Sequence, residues 1–211
     1  MQAMGEATMN VQEFVHQVFI EGVPYAGVAQ YGSDDVPTLL AMLNEPQEKA
    51  HWSNIVVTLG IIGDDRAVDP LINFLDGNGE MASRDDFAAR SSALMSLGYL
   101  INKSKNEKAL AYLKGHMTPK GWRGSKMVTA GTLQASQDAR SQQLSTLAIL
   151  GLALSGDPLA KEALESLQKG MRTGESTAFA RQMDSTVTEA LKAHEIIAKE
   201  GLPAYYQKAT P

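Results

Sequence analysis

VTLGIIGDDRAVDPLINFL, residues 57–75, reads as an apolar run, a Gly-Asp-Asp break and a second apolar run. Ile55, Val56, Leu59 and Ile62 recur at the spacing of one helical face, and Val68, Leu71, Ile72 and Leu75 do so again. Gly63 tolerates the left-handed conformation that ends a helix, and Asp64 or Asp65 is placed to cap the next one. The stretch therefore predicts two helices joined by a tight turn. The pattern returns as SLGYLINKSKNEKALAYL (residues 96–113) and as ILGLALSGDPLAKEALESL (residues 149–167). Self-similarity on this scale marks stacked units, none of which buries its apolar face alone.

Each copy carries a Leu-Gly pair: Leu59-Gly60, Leu97-Gly98 and Leu150-Gly151. Glycine inside a helix costs roughly 1 kcal/mol against alanine. Matched glycines at three such places predict helices that approach too closely for a side chain. The Leu-Gly pairs, the run from Asp65 to Ile72, its counterpart from Asp157 to Leu164 and a half-repeat from Asp35 to Leu43 resemble the HEAT-repeat superfamily, in particular the short lyase-type (PBS lyase) HEAT-like repeats. The resemblance spans residues 34–170. It implies an all-α, right-handed α-solenoid of about four helix pairs. It says almost nothing about activity, since such repeats serve scaffolds, lyases and nucleic-acid enzymes alike.

Along the chain, residues 1–9 read as a disordered lead-in, and residues 10–208 as one solenoid domain. Val11, Phe14, Val15, Val18 and Phe19 share a helical face, predicting an N-terminal capping helix that ends at Gly22. Tyr25–Tyr31 reads as a short helix. Helix pairs are expected near 34–44 and 48–62, 66–76 and 84–101, 106–115 and 139–154, and 158–170 and 176–199. Asn102 and Gly156 are the expected helix stops, Ser104 and Asp157 the expected caps, and the tail with Leu202, Tyr205 and Tyr206 folds back as a cap. Residues 115–140 form a long insertion, which in repeat proteins maps to one face.

Composition narrows the function classes. No cysteine is present, so disulfides, thiolate metal sites and cysteine nucleophiles are excluded. No secretory signal pattern precedes the first base, Lys49, and no apolar run is long enough to span a bilayer as a helix. The net charge of −5 disfavours non-specific nucleic-acid binding. That charge is uneven: residues 1–48 hold seven acids and no Lys or Arg, whereas residues 103–126 hold seven bases against Glu107.

No nucleophile elbow or phosphate loop occurs. The four histidines lack the i, i+4 pairing of a helical zinc site. His194-Glu195 stands alone where di-iron HEAT-like hydroxylases use several His-Glu pairs. Asp76-Gly77-Asn78-Gly79-Glu80 opens like a calcium loop, but Met81 and Phe87 occupy its required Gly and Glu positions, so it reads as a plain turn. Asp64/Asp65 and Asp85/Asp86 fit helix N-termini. No cofactor, catalytic residue or metal ligand is therefore assigned, and no residue set points to a tetrapyrrole.

Two surfaces remain. In the resembling family the second helix of each repeat lines the concave face. Trp52, Asn54, Arg90, Gln143 and Arg181 fall there by alignment and form the expected site for a protein or peptide. A second candidate is the insertion, where Trp122 lies among Lys120, Arg123 and Lys126. Such interleaving can stack bases and hold phosphates, although the reading favoured is a Trp122 anchor with solvated lysines. A non-catalytic interaction module is thus expected ahead of a nucleic-acid-associated protein or a lyase-like enzyme. Partner identity, oligomeric state and compartment are not encoded legibly.

Overall fold

The computed structural model describes residues 9–77, 83–129, 135–173 and 178–209, with side chains for all of these except 172, 173, 178–182 and 209. Among the described residues the regular structure is all helical. The α-helices are α1 (Val11–Val15), α2 (Val36–Leu43), α3 (Trp52–Ile62), α4 (Val68–Asp76), α5 (Arg84–Ser104), α6 (Glu107–His116), α7 (Lys126–Thr129), α8 (Gln137–Ser155), α9 (Pro158–Thr173) and α10 (Ala178–Ala209). Four of them lie side by side in the order α3, α5, α8, α10. Around this row, α2 rests on α3, α4 on α5, α6 bridges α5 and α8, and α9 bridges α8 and α10. One buried apolar cluster runs through them from Val11 to Leu202.

The three Leu-Gly pairs sit at the closest contacts of the row. A Cβ on Gly60 would stand 2.5 Å from the Ser96 Cα of α5. One on Gly98 would strike the Gly151 carbonyl, and one on Gly151 the Leu94 carbonyl. Backbone therefore meets backbone along α3, α5 and α8, as the matched glycines predict.

The turns are equally specific. The Asp64 carboxylate accepts from the Arg66 backbone N–H at 2.9 Å and pairs with its guanidinium at 2.8 Å. The hydrogen bonds from the Arg66 guanidinium hold the Asp64 carboxyl below its usual range, against the smaller upward push of burial. The same guanidinium donates to the Ser33 carbonyl at 2.6 Å, tying this turn to the one before. Asn106 donates to Asp65 at 3.0 Å, tying it to the one after. Gly63 and Gly156 end α3 and α8 in the left-handed region, and Asp157 caps α9 with Pro158 at its first position, all as expected.

Three local expectations are corrected. The capping helix stops at Val15 instead of running to Gly22. Asn54 Nδ2 donates to the Val15 and Gln17 carbonyls at 2.9 and 3.0 Å, so they are capped from α3. Val18 and Ile20 are then left 92% and 97% exposed, while Phe19 stays with Phe14 at a ring distance of 5.2 Å. Second, α5 outruns Asn102: Lys105 takes the left-handed position at φ 58°, and Asn102 Nδ2 instead donates to the Ser155 carbonyl at the end of α8. Third, the cap of α6 is Asn106, which accepts from the Ala109 N–H, rather than Ser104. The expected lead-in, apart from Met9, and most of the calcium-like turn lie outside the described residues.

Candidate functional site

Helix α5 sets the two sides of the row. Arg90 donates from Nη1 to the Phe74 carbonyl of α4 at 2.6 Å, and its guanidinium lies 5.1 Å from the Phe74 ring centre. Trp52 meets the same ring edge-on at 5.3 Å. Lys49 pairs with the buried carboxylate of Asp86 at 2.7 Å and lies 5.9 Å from the Trp52 ring. Burial pushes the Arg90 guanidinium below its ordinary range, and the nearby Asp86 charge acts against that. Trp52 and Arg90 thus face the outer helix α4.

This corrects the expected groove. Arg90 is buried and Trp52 half-buried against α4, so neither is offered on an open face. Asn54 is half-buried and spends its amide on the end of α1. Gln143 is exposed. The Arg181 side chain lies outside the described residues. Each of Trp52, Arg90 and Gln143 lies eight residues before its Leu-Gly glycine, yet they do not share a side. Gly60 and Gly98 face the next helix of the row, whereas Gly151 faces back to Leu94 of α5. The same eight-residue step thus turns Arg90 toward α4 and Gln143 away from the outer helices.

The side opposite α4 is found from helical geometry. Nine residues are about two and a half turns, so Tyr99 lies across α5 from Arg90. Around Tyr99 the turn at Tyr25 and the last part of α10 meet. Tyr25, from the 3-10 turn Tyr25–Gln30, has its ring 6.2 Å from that of Tyr99 and stacks on Tyr206 of α10 at 5.4 Å and 19°. The hydroxyls of Tyr99 and Tyr206 are in direct contact. Burial, first of all, holds the Tyr99 and Tyr206 phenols above the ordinary tyrosine range. Tyr206 reaches this place because α10 breaks at Gly201, with φ 85° and ψ 165°, and restarts around Pro203. Leu202, next to the break, is 1% exposed. The expectation that the tail folds back is met, and the residue it folds onto, Tyr99, is one that the alignment did not single out. Its signal was the stripe Ser92, Met95, Tyr99, lying off the Arg90, Leu94, Leu97, Ile101 stripe.

The insertion is laid against α6 and α8. Trp122 is 1% exposed, and its Nε1 donates to the His116 carbonyl at 2.8 Å. Its ring abuts His116, which stacks on Tyr112 at 4.1 Å. Met127 and Val128 are buried, and the buried Arg140 guanidinium donates to the Val128 carbonyl. Lys120, Arg123 and Lys126 are exposed. Trp122 is therefore an anchor and cannot stack on a base, which corrects its inclusion in the second candidate site. Residues 130–134 of the insertion lie outside the described residues.

The histidines have structural partners. His194, 2% exposed, donates from Nε2 to the Asp157 carbonyl at 2.9 Å and holds α10 to the start of α9. His16 meets Glu48 at 2.7 Å and His51 at a ring distance of 4.4 Å. Among the described residues no three His, Asp or Glu side chains converge as metal ligands. No described helix is long and apolar enough to cross a membrane. No curated protein and no solved structure matches the chain. The sequence model of the PBS lyase HEAT-like repeat matches residues 53–77, which are α3, the Asp64–Arg66 turn and α4. Over that stretch the chain is similar to a HEAT-like repeat.

Proposed function

We propose that the chain is a non-catalytic interaction module whose partner is a protein or peptide. In this reading α2 with α3, α4 with α5, α6 with α8 and α9 with α10 are the four pairs of a right-handed solenoid, and residues 10–208 are one domain. The partner lies on the side of α3, α5 and α8 turned away from the outer helices. The HEAT-like match at residues 53–77 supports a repeat scaffold. The observation that carries the choice of face is the side of α5 across from the α4 contact, where Met95 is half-buried and Tyr99, 6% exposed, is covered by Tyr25 and Tyr206 of the chain itself. Aromatic and methionine side chains are the residue types enriched where proteins meet. Scaffold function also fits a row whose inner helices touch backbone to backbone, because a rigid surface loses little freedom on binding.

The test is a photoreactive residue at Ala88. This position is exposed and about three turns before Tyr99, hence on the same side of α5. Crosslinking in cells should give a discrete polypeptide adduct from Ala88 and none from Ala111, which is exposed on the outer helix α6. Equal labelling from both positions, or none from either, would reject the face.

A further inference from the structure

We infer that residues 202–208 are a self-ligand: a strap that occupies the proposed binding face, and whose place is taken by a helical peptide presenting one aliphatic and two aromatic side chains at i, i+3 and i+4. The inference rests on the interaction reading above and names the chemistry of its partner.

Four observations support it. The first is the hinge. At Gly201 a Cβ would meet only Pro203 Cδ, at 3.6 Å, so no close packing demands glycine there. What demands it is the backbone at φ 85° and ψ 165°, a region essentially restricted to glycine. The second is the unequal burial on the two sides of the hinge. Before it, Met183, Val187, Ala190, His194 and Ile197 of α10 are buried; after it, among the described side chains, only Leu202 is, while Tyr205 and Tyr206 are half-buried. The third is the pattern itself. Leu202, Tyr205 and Tyr206 follow the spacing by which amphipathic helices enter grooves. The fourth is charge. The described ion pair of the strap, Lys208 with Glu200 at 2.5 Å, joins it to its own helix and not to α5 or the 3-10 turn of Tyr25. The strap meets the face through the Tyr206 ring on Tyr25 and Tyr99 and through the Tyr206 hydroxyl on that of Tyr99, so uncharged aromatic groups beside an aliphatic one are what a replacement has to supply.

The experiment uses the full chain. Hydrogen–deuterium exchange should find the amides of residues 202–208 exchanging at least about 10-fold faster than those of residues 187–197 in the same helix, as a separate opening unit. A fluorescent peptide with the sequence of residues 201–209 is then titrated into the wild type and into Leu202→Glu. The wild type should bind it about 10-fold more weakly, the ratio expected if the strap is closed nine-tenths of the time. Tyr99→Ala in the Leu202→Glu chain should abolish binding. Equal affinity for the two chains, or no binding to Leu202→Glu, would overturn the inference. So would slow, uniform exchange across α10, a result that needs no variant to fold. An Ala88 crosslink that succeeds while the peptide fails would leave the interaction reading standing and reject only the strap.

Discussion

Gly98 and Gly201 are the same residue put to opposite uses. At Gly98 there is no room for a Cβ, because the Gly151 carbonyl of α8 already occupies the space. At Gly201 there is room but the backbone is turned into a region other residues avoid. The first glycine welds two helices of the row; the second releases the end of a helix from its own axis. Close packing spreads a local change into the whole core, since interiors near crystal density have no slack to absorb it. A hinge confines the change to what lies beyond it. The row and the strap should therefore respond to perturbation as separate units.

The sharpest way to break this comparison is Gly98→Val. A branched side chain there meets backbone, which cannot rotate away. Overpacking usually costs about 1–3 kcal/mol and more where the backbone has to move; adding the loss of helix contact, about 3 kcal/mol or more is expected in chemical denaturation. A loss below about 0.5 kcal/mol, the size of an ordinary surface change, would show that α5 and α8 separate without cost.

Arg90→Ala should come next, at about 2–3 kcal/mol. The change removes a charge-assisted hydrogen bond to the Phe74 carbonyl and the stem packed on the Phe74 ring, and it strips Asp86 of a nearby cation. Denaturation is the measure, and peptide capture by the Leu202→Glu chain is the control. Because Arg90 faces α4 and not the strap, capture should be unchanged wherever the chain remains folded. A chain that keeps its stability but loses the peptide would return Arg90 to the groove.

These two residues also show how much the sequence disclosed. The helices were legible because Leu-Gly, a polar turn and an apolar face recur together, and each of those signals is local. The direction of a residue on a paired helix is not local. Trp52 and Arg90 sit in polar-looking helix starts, yet Arg90 continues the stripe Leu94, Leu97, Ile101 and Trp52 the stripe Ile55, Val56, Leu59. Those stripes turn them toward α4. Gln143 differs because the Gly151 contact reverses direction, from the following helix to the preceding one. No pattern within one helix records that reversal, since it depends on how α8 is rotated against α5. The fate of Trp122 was legible in kind: a lone tryptophan among lysines in a long loop more often anchors than binds. Asn54 was not legible, because its two acceptors, Val15 and Gln17, lie nearly forty positions away.

The smallest expected effect is on the strap alone, and pH exposes it. Tyr99, Tyr206 and Tyr25 all have phenols held above the ordinary range, chiefly by burial. An exposed tyrosine ionises near pH ~10. Below that value these phenols are neutral whether the strap is closed or open, so closure keeps its full strength. Above it the open strap gains by ionising while the closed one, with its raised values, does not. Closure is therefore weakened as pH rises beyond about 10. Tyrosinate absorbance cannot isolate this, because Tyr112 is also raised, by burial and by its hydrogen bond to Asp76. The absence of cysteine provides a cleaner probe. A spin label on Gln207→Cys is unique in the chain and sits on the exposed side of the strap. Its mobility should rise above pH ~10 while circular dichroism still reports the helices of the row. With Tyr206→Phe the pH dependence should be reduced, because one of the three phenols whose ionisation favours opening is gone. Label mobility that changes only when the whole chain unfolds would mean that the segment beyond Gly201 belongs to the row after all.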